Sequence, residues 1–253
     1  MQAQNPNPTR HFETFEGVDR SQGKSRTRLI YALQLTVALL LLEGALWSAN
    51  LMQRGIFFWG AMAWILLTSV ISGKSRSQMG LSLRGLKETR GLLLCSIAIT
   101  GAAVIAAWNA GRLHPAFGPQ TTASHYFAYV LWAVFQQFIL QSYFFLRLEP
   151  LLGSSRWSVL AGAVLFSVVH IPNALLALAT FIGGLMLCEF FRRYRNIYTL
   201  GLAHAVVGLC IAVTTPSTLN HGMRVGQEFF EYHSSHPSFY SLSTILPGVA
   251  GQR

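Results

Sequence analysis

Charge is what this chain has least of. Only 11% of its 253 residues are Asp, Glu, Lys or Arg, less than half the ~25% of an average soluble domain. Acidic residues are scarcest, nine in all, and Asp19 is the one aspartate. A single aspartate excludes an aspartyl catalytic dyad, which needs two. The three cysteines, Cys95, Cys188 and Cys210, are odd in number and each stands inside an apolar block, which excludes a disulfide scaffold. Low-complexity runs are missing and 12% of the residues are aromatic, so the composition is not that of a disordered chain. No His-Glu-x-x-His zinc motif and no Gly-x-Ser-Gly motif occurs.

What is there is apolar sequence. Hydrophobic residues make up 52% of the chain, and they come in blocks of roughly twenty, the length that crosses a bilayer. Seven spans are expected, at Leu29–Ser48, Gly55–Ser72, Gly91–Ala110, Tyr126–Leu146, Trp157–Ile171, Leu175–Phe191 and Ile197–Val213. All should be helical, because an unpaired backbone group in lipid is too costly. The expected fold is therefore an all-α, multi-pass transmembrane helix bundle. Residues 1–28 form a polar basic tail, 29–213 the bundle, and 214–253 a polar C-terminal tail to which the sequence assigns no role.

The formal charge of +10 reads as membrane topology rather than as a nucleic-acid footprint. Fifteen of the 19 Lys and Arg residues fall in the N-terminal tail and in the connectors after the second, fourth and sixth spans. Arg54, Arg112, Arg224 and Arg253 fall on the other side. The positive-inside rule then makes the N terminus cytoplasmic and the C terminus external, with the plasma (inner) membrane as the expected location. The polar stretch before the first span is too long for a cleaved signal peptide. The connector Gly73–Arg90, basic with Met79, Leu81, Leu83 and Leu86 interleaved, is expected to lie along the interface.

Polar side chains inside spans are expensive and point to function. The fourth span carries Gln136, Gln137 and Gln141; the last two are four apart and share a helix face. The fifth ends in Phe166-Ser-Val-Val-His170-Ile-Pro-Asn173, and the seventh carries His204. At 1.5 Å per residue, Gln136, His170 and His204 lie at roughly 10–20 Å depth. Three helices can thus present an amide and two imidazoles near the midplane, where water chemistry could occur. Interhelical hydrogen bonding is the competing explanation for the glutamines. No third ligand accompanies the two histidines, so neither a metal nor another cofactor is expected.

These residues, in order and spacing over Tyr126–Val213, resemble the CAAX-protease and bacteriocin-processing (CPBP, or Abi) family of intramembrane endopeptidases. That family carries Glu-Glu-x-x-x-Arg, then Phe-x-x-x-His, then His-x-x-x-Asn. Phe166 and His170 match the second motif, and His204 the first position of the third. Leu-Gly-Leu-Ala-His at 200–204 is similar to the family too, and Met-Gly-Leu-Ser-Leu at 79–83 more weakly. Gln136 and Gln137 stand at the two glutamates, Gln141 at the arginine and Gly208 at the asparagine. The resemblance implies that His170 and the first motif activate water while His204 holds the oxyanion. It also implies a membrane-associated or lipidated peptide substrate.

An amide cannot usefully take a proton from water, and loss of a general base costs ~10²–10⁴-fold. Two readings follow. One is a working endopeptidase with His170 as base, or with Glu43, about 21 Å into the first span, as a relocated carboxylate. The other is a non-catalytic relative that binds a lipid, prenyl group or helix. Glu189 reads as an ion-pair partner of Arg192 and Arg193, and Glu149 as solvated at the interface. A transporter is disfavoured by the odd span number and the absence of an inverted repeat.

Overall fold

In the computed structural model, residues 9–116, 121–153 and 155–235 are described. The outer parts of both expected tails, 1–8 and 236–253, lie outside them. Among the described residues all regular structure is helical: α1 (Thr9–Trp47), α2 (Leu51–Ile71), α3 (Leu86–Asn109), α4 (Ala123–Leu152), α5 (Ser155–Val168), α6 (Ala174–Tyr194), α7 (Ile197–Thr214), α8 (Ser217–Asn220) and α9 (Gly226–Ser235). Six helices are long and apolar enough to cross a membrane: α2, α3, α4, α6, α7 and the Ser25–Trp47 part of α1. The fifth expected span is the shorter apolar helix α5. Its 14 residues rise only about 21 Å, and the chain continues past it in turns through His170. From Thr9 onward the expected N-terminal tail is helical and continuous with α1.

Side-chain pattern sets which helix surface meets protein. On α3 only Thr89 and Thr100 are buried, while Leu94, Ile97, Ile99, Ile105 and Trp108 are exposed. Apolar surface of this extent suits hydrocarbon rather than water. The protein is an integral membrane helix bundle. α1 packs on α2, α5 on α6, and α7 against both α3 and α4. Gly201 permits the α7–α4 contact: a Cβ there would stand 2.7 Å from the Val134 Cα.

The interior of α4 departs from regular α geometry. Phe138–Phe145 is a π-helical segment, and all eight of its residues are buried. Such wide turns are costly and are found where a fold must re-aim side chains. The segment leads to Arg147, 1% exposed. Its guanidinium donates to Gln34 Oε1 (2.7 Å), the Tyr143 carbonyl (3.1 Å) and the Thr68 carbonyl (3.1 Å), tying α1 and α2 to α4. It lies 3.8 Å from the Tyr143 ring centroid. Arg147, counted by sequence among the basic residues of the connector after the fourth span, is therefore buried within the bundle. Glu149 is not solvated either; it is half-buried and accepts from Arg195 at 2.7 and 2.8 Å.

The connector between α2 and α3 is docked into the bundle end. Met79 and Gly80 are buried. The Met79 carbonyl accepts from Ser142 Oγ (2.6 Å), and the Gly80 carbonyl from the Ile197 amide (3.1 Å). Asn196, fully buried, donates to the Ser82 and Arg84 carbonyls and caps α7 through the Thr199 amide. This gathers Lys74, Arg147 and Arg195 at one end, the basic end.

At the opposite end α8 and α9 form a strap, the role that sequence alone left unassigned for 214–235. Arg54 holds it by ion pairs to Glu228 (3.2 Å) and Glu231 (2.6 Å), and the Gly226 amide donates to the Ile171 carbonyl (2.9 Å).

Candidate active site

A cavity of about 660 Å³ runs through the bundle between α1, α2, α4, α6 and α7, with the strap at one end. Its wall is mostly apolar. Its polar lining includes Gln136, His170, His204 and Tyr129 in the bundle, with Arg54 and Glu228 at the strap.

His170 stands in the turn after α5 and is 9% exposed. Its Nδ1 is 2.6 Å from the Phe166 carbonyl. A carbonyl only accepts, so Nδ1 carries the proton and Nε2 keeps its lone pair. The Phe166 ring meets both imidazoles edge-on, His170 at 5.1 Å and His204 at 5.3 Å between centroids. Phe166 thus serves both histidines, one by its carbonyl and both by its ring.

The three glutamines divide by role. Gln141 Nε2 donates to Gln137 Oε1 (3.2 Å) and to Cys188 Sγ (3.5 Å). Gln137 Nε2 lies 3.3 Å from His204 Nδ1. Both amides are fully buried and neither lines the cavity. They form a neutral rail that holds His204. Gln136, one residue away and so about 100° around the helix, lines the cavity instead and is only partly buried.

The remaining sequence candidates lie around this core. Asn173, fully buried, caps α6 through the Leu176 amide (3.2 Å) and donates to the Asn220 (2.8 Å) and Arg224 (3.1 Å) carbonyls. It anchors the strap. Gly208 lines the cavity one turn after His204, and a Cβ built on it would overlap the Tyr129 hydroxyl. Glu43 does not line the cavity; one oxygen accepts from Trp47 Nε1 (2.8 Å) and the other is buried with no hydrogen-bond partner among the described residues. Glu189 pairs with Arg192 and Arg193.

Tyr129 and Glu228 are cavity residues that sequence reasoning did not single out. Tyr129 had a signal: it precedes Gln136 by seven residues, two turns along one helix face. Glu228 had none, because only the folded strap returns it to the cavity. Among the described residues no group of three His, Cys, Asp or Glu side chains could hold a metal ion.

Residues 118–210, which carry the Gln136–Gln141 rail, Phe166, His170 and His204, match the family described as type II CAAX prenyl endopeptidase Rce1-like. Over this segment the chain is similar to that family. The matched segment holds all of α4, α5 and α6 and α7 up to Cys210, so the imidazoles and amides of the site all belong to it. No curated protein and no solved structure matches the chain.

Proposed function

We propose that this protein is an intramembrane endopeptidase that hydrolyses a lipidated, prenyl-type peptide within the cavity. The observation that carries this reading is the His170 imidazole, locked by Phe166 with its Nε2 lone pair free and set in the cavity wall. Nε2 takes a proton from water while the water oxygen adds to the scissile carbonyl carbon. Gln136 positions that water, and His204 faces the developing oxyanion, where a fixed polar group is worth most in a water-poor site. The C–N bond then breaks and His170 returns its proton to the leaving amine. The apolar wall suits a lipid chain. The basic end is cytoplasmic and the strap external, which fits the plasma (inner) membrane.

A second reading, a binding relative without turnover, is favoured by one observation. Among the described residues the single carboxylate in the cavity wall, Glu228, is tied to Arg54 and Arg224. Proteoliposomes carrying the full chain and a prenylated fluorogenic peptide separate the two. Cleavage that disappears in His170→Ala supports the protease. Cleavage that survives His170→Ala overturns the assignment of the base. Retention of the peptide without cleavage, unchanged in His170→Ala, supports the binding relative.

A further inference from the structure

A second concavity, of about 250 Å³, opens at the basic end and is lined by Lys74, Ser77, Gln78, Leu146, Glu149 and Arg195. Its charges do not balance. Arg147 adjoins it and is satisfied entirely by neutral acceptors. Glu149 is engaged by Arg195 Nη2. Three cations therefore share one carboxylate. The Lys74 ammonium has the Tyr31 ring 5.9 Å away and, among the described residues, no ion-pair partner. Burial, then the Arg147 and Arg195 charges, hold it below the usual lysine range against the opposing pull of Glu149.

Two of the lining residues also carry spare hydrogen-bond donors. Gln78 Oε1 accepts from the Ser75 amide (2.9 Å), and Ser75 Oγ from the Gln78 amide (3.2 Å). The amide oxygen of Gln78 is thus committed to the turn, and its two N–H donors are left over. Arg195 Nη1 is buried with no hydrogen-bond partner among the described residues. The guanidinium is held in place by the Phe191 and Phe145 rings, 5.0 and 5.8 Å away. An orphaned buried donor of this kind costs free energy unless something accepts from it.

We propose that this pocket binds a phosphate-type anion, free or as the headgroup of an anionic lipid, through Lys74, Ser77, Gln78 and Arg195. A phosphate suits it because one compact group brings several acceptor oxygens and more than one unit of negative charge. Glu149 does not bar it, since its charge is already met by Arg195. The site is independent of whether the chain cleaves peptides.

The test uses the full chain in a neutral detergent. Calorimetric titration with inorganic phosphate probes the free anion. Native mass spectrometry with short-chain phosphatidic acid, against phosphatidylcholine, probes the headgroup. Lys74→Gln should weaken binding about tenfold, the worth of one charge-assisted hydrogen bond, and Gln78→Glu should abolish it. Arg76→Gln, an exposed cation outside the pocket, should change it less than about twofold. Lys74-dependent binding of phosphate alone identifies a free anion site, and of phosphatidic acid alone a headgroup site. Binding of neither, or equal losses in Lys74→Gln and Arg76→Gln, overturns the proposal. Melting temperatures confirm that each variant is folded, and Gln78→Glu decides the matter if Lys74→Gln is not.

Discussion

Gln136 and Gln137 are neighbours in sequence, yet the structure predicts opposite outcomes when each is changed to glutamate. Gln136 lines the cavity with His170, and among the described residues no hydrogen bond of its amide constrains the substitution. A carboxylate there adds the missing proton acceptor beside the water, and general bases contribute ~10²–10⁴-fold. Gln136→Glu should therefore raise kcat for a prenylated reporter peptide in proteoliposomes by about 10² or more, with little change in melting temperature. Gln137 is fully buried, fixed between Gln141 and His204. A carboxylate there gives up the N–H that faces His204 and buries a charge, a loss of about 3 kcal/mol. Gln137→Glu should lower the melting temperature and leave kcat unchanged or reduced. A rate gain from Gln137→Glu with none from Gln136→Glu would refute the assignment of Gln136 as the water-facing residue.

Two further outcomes follow from the packing. Gly208→Ala should destabilise the bundle by about 1–3 kcal/mol through overlap with the Tyr129 hydroxyl. Tyr129→Phe, which removes the overlapping atom, should recover most of that loss in a double-mutant cycle read by thermal denaturation in detergent; additive losses would contradict it. Asn173→Ala removes a helix cap and two strap hydrogen bonds, so it should cost about 2–4 kcal/mol. It should also speed hydrogen exchange in α8 and α9; unchanged exchange there would show that Arg54 and the Gly226–Ile171 hydrogen bond hold the strap without Asn173.

Much of this molecule is written in local sequence. Apolar blocks of bilayer length force helices because lipid offers the backbone no other partner, and that logic marked six long helices and the place of α5. Phe166 and His170, four apart, were legible as neighbours, as was the Glu189–Arg192–Arg193 cluster, because helix periodicity brings such residues together whatever surrounds them. The periodicity of α4 also separated Gln136 from Gln137 in angle, but not in role. Only the close approach of α7, allowed by Gly201, decided which of the two meets His204 and which meets the cavity. The same holds for Arg147 and Glu149. Sequence placed Arg147 in a connector and Glu149 in solvent, and long-range partners on α1, α2 and the turn after α6 bury the first and half-bury the second. Glu228 joins the cavity, and Asn173 becomes an anchor, only because the strap folds back over the bundle. Sequence spacing determines contacts within a helix; contacts between helices depend on the summed packing of many residues, which no single motif encodes.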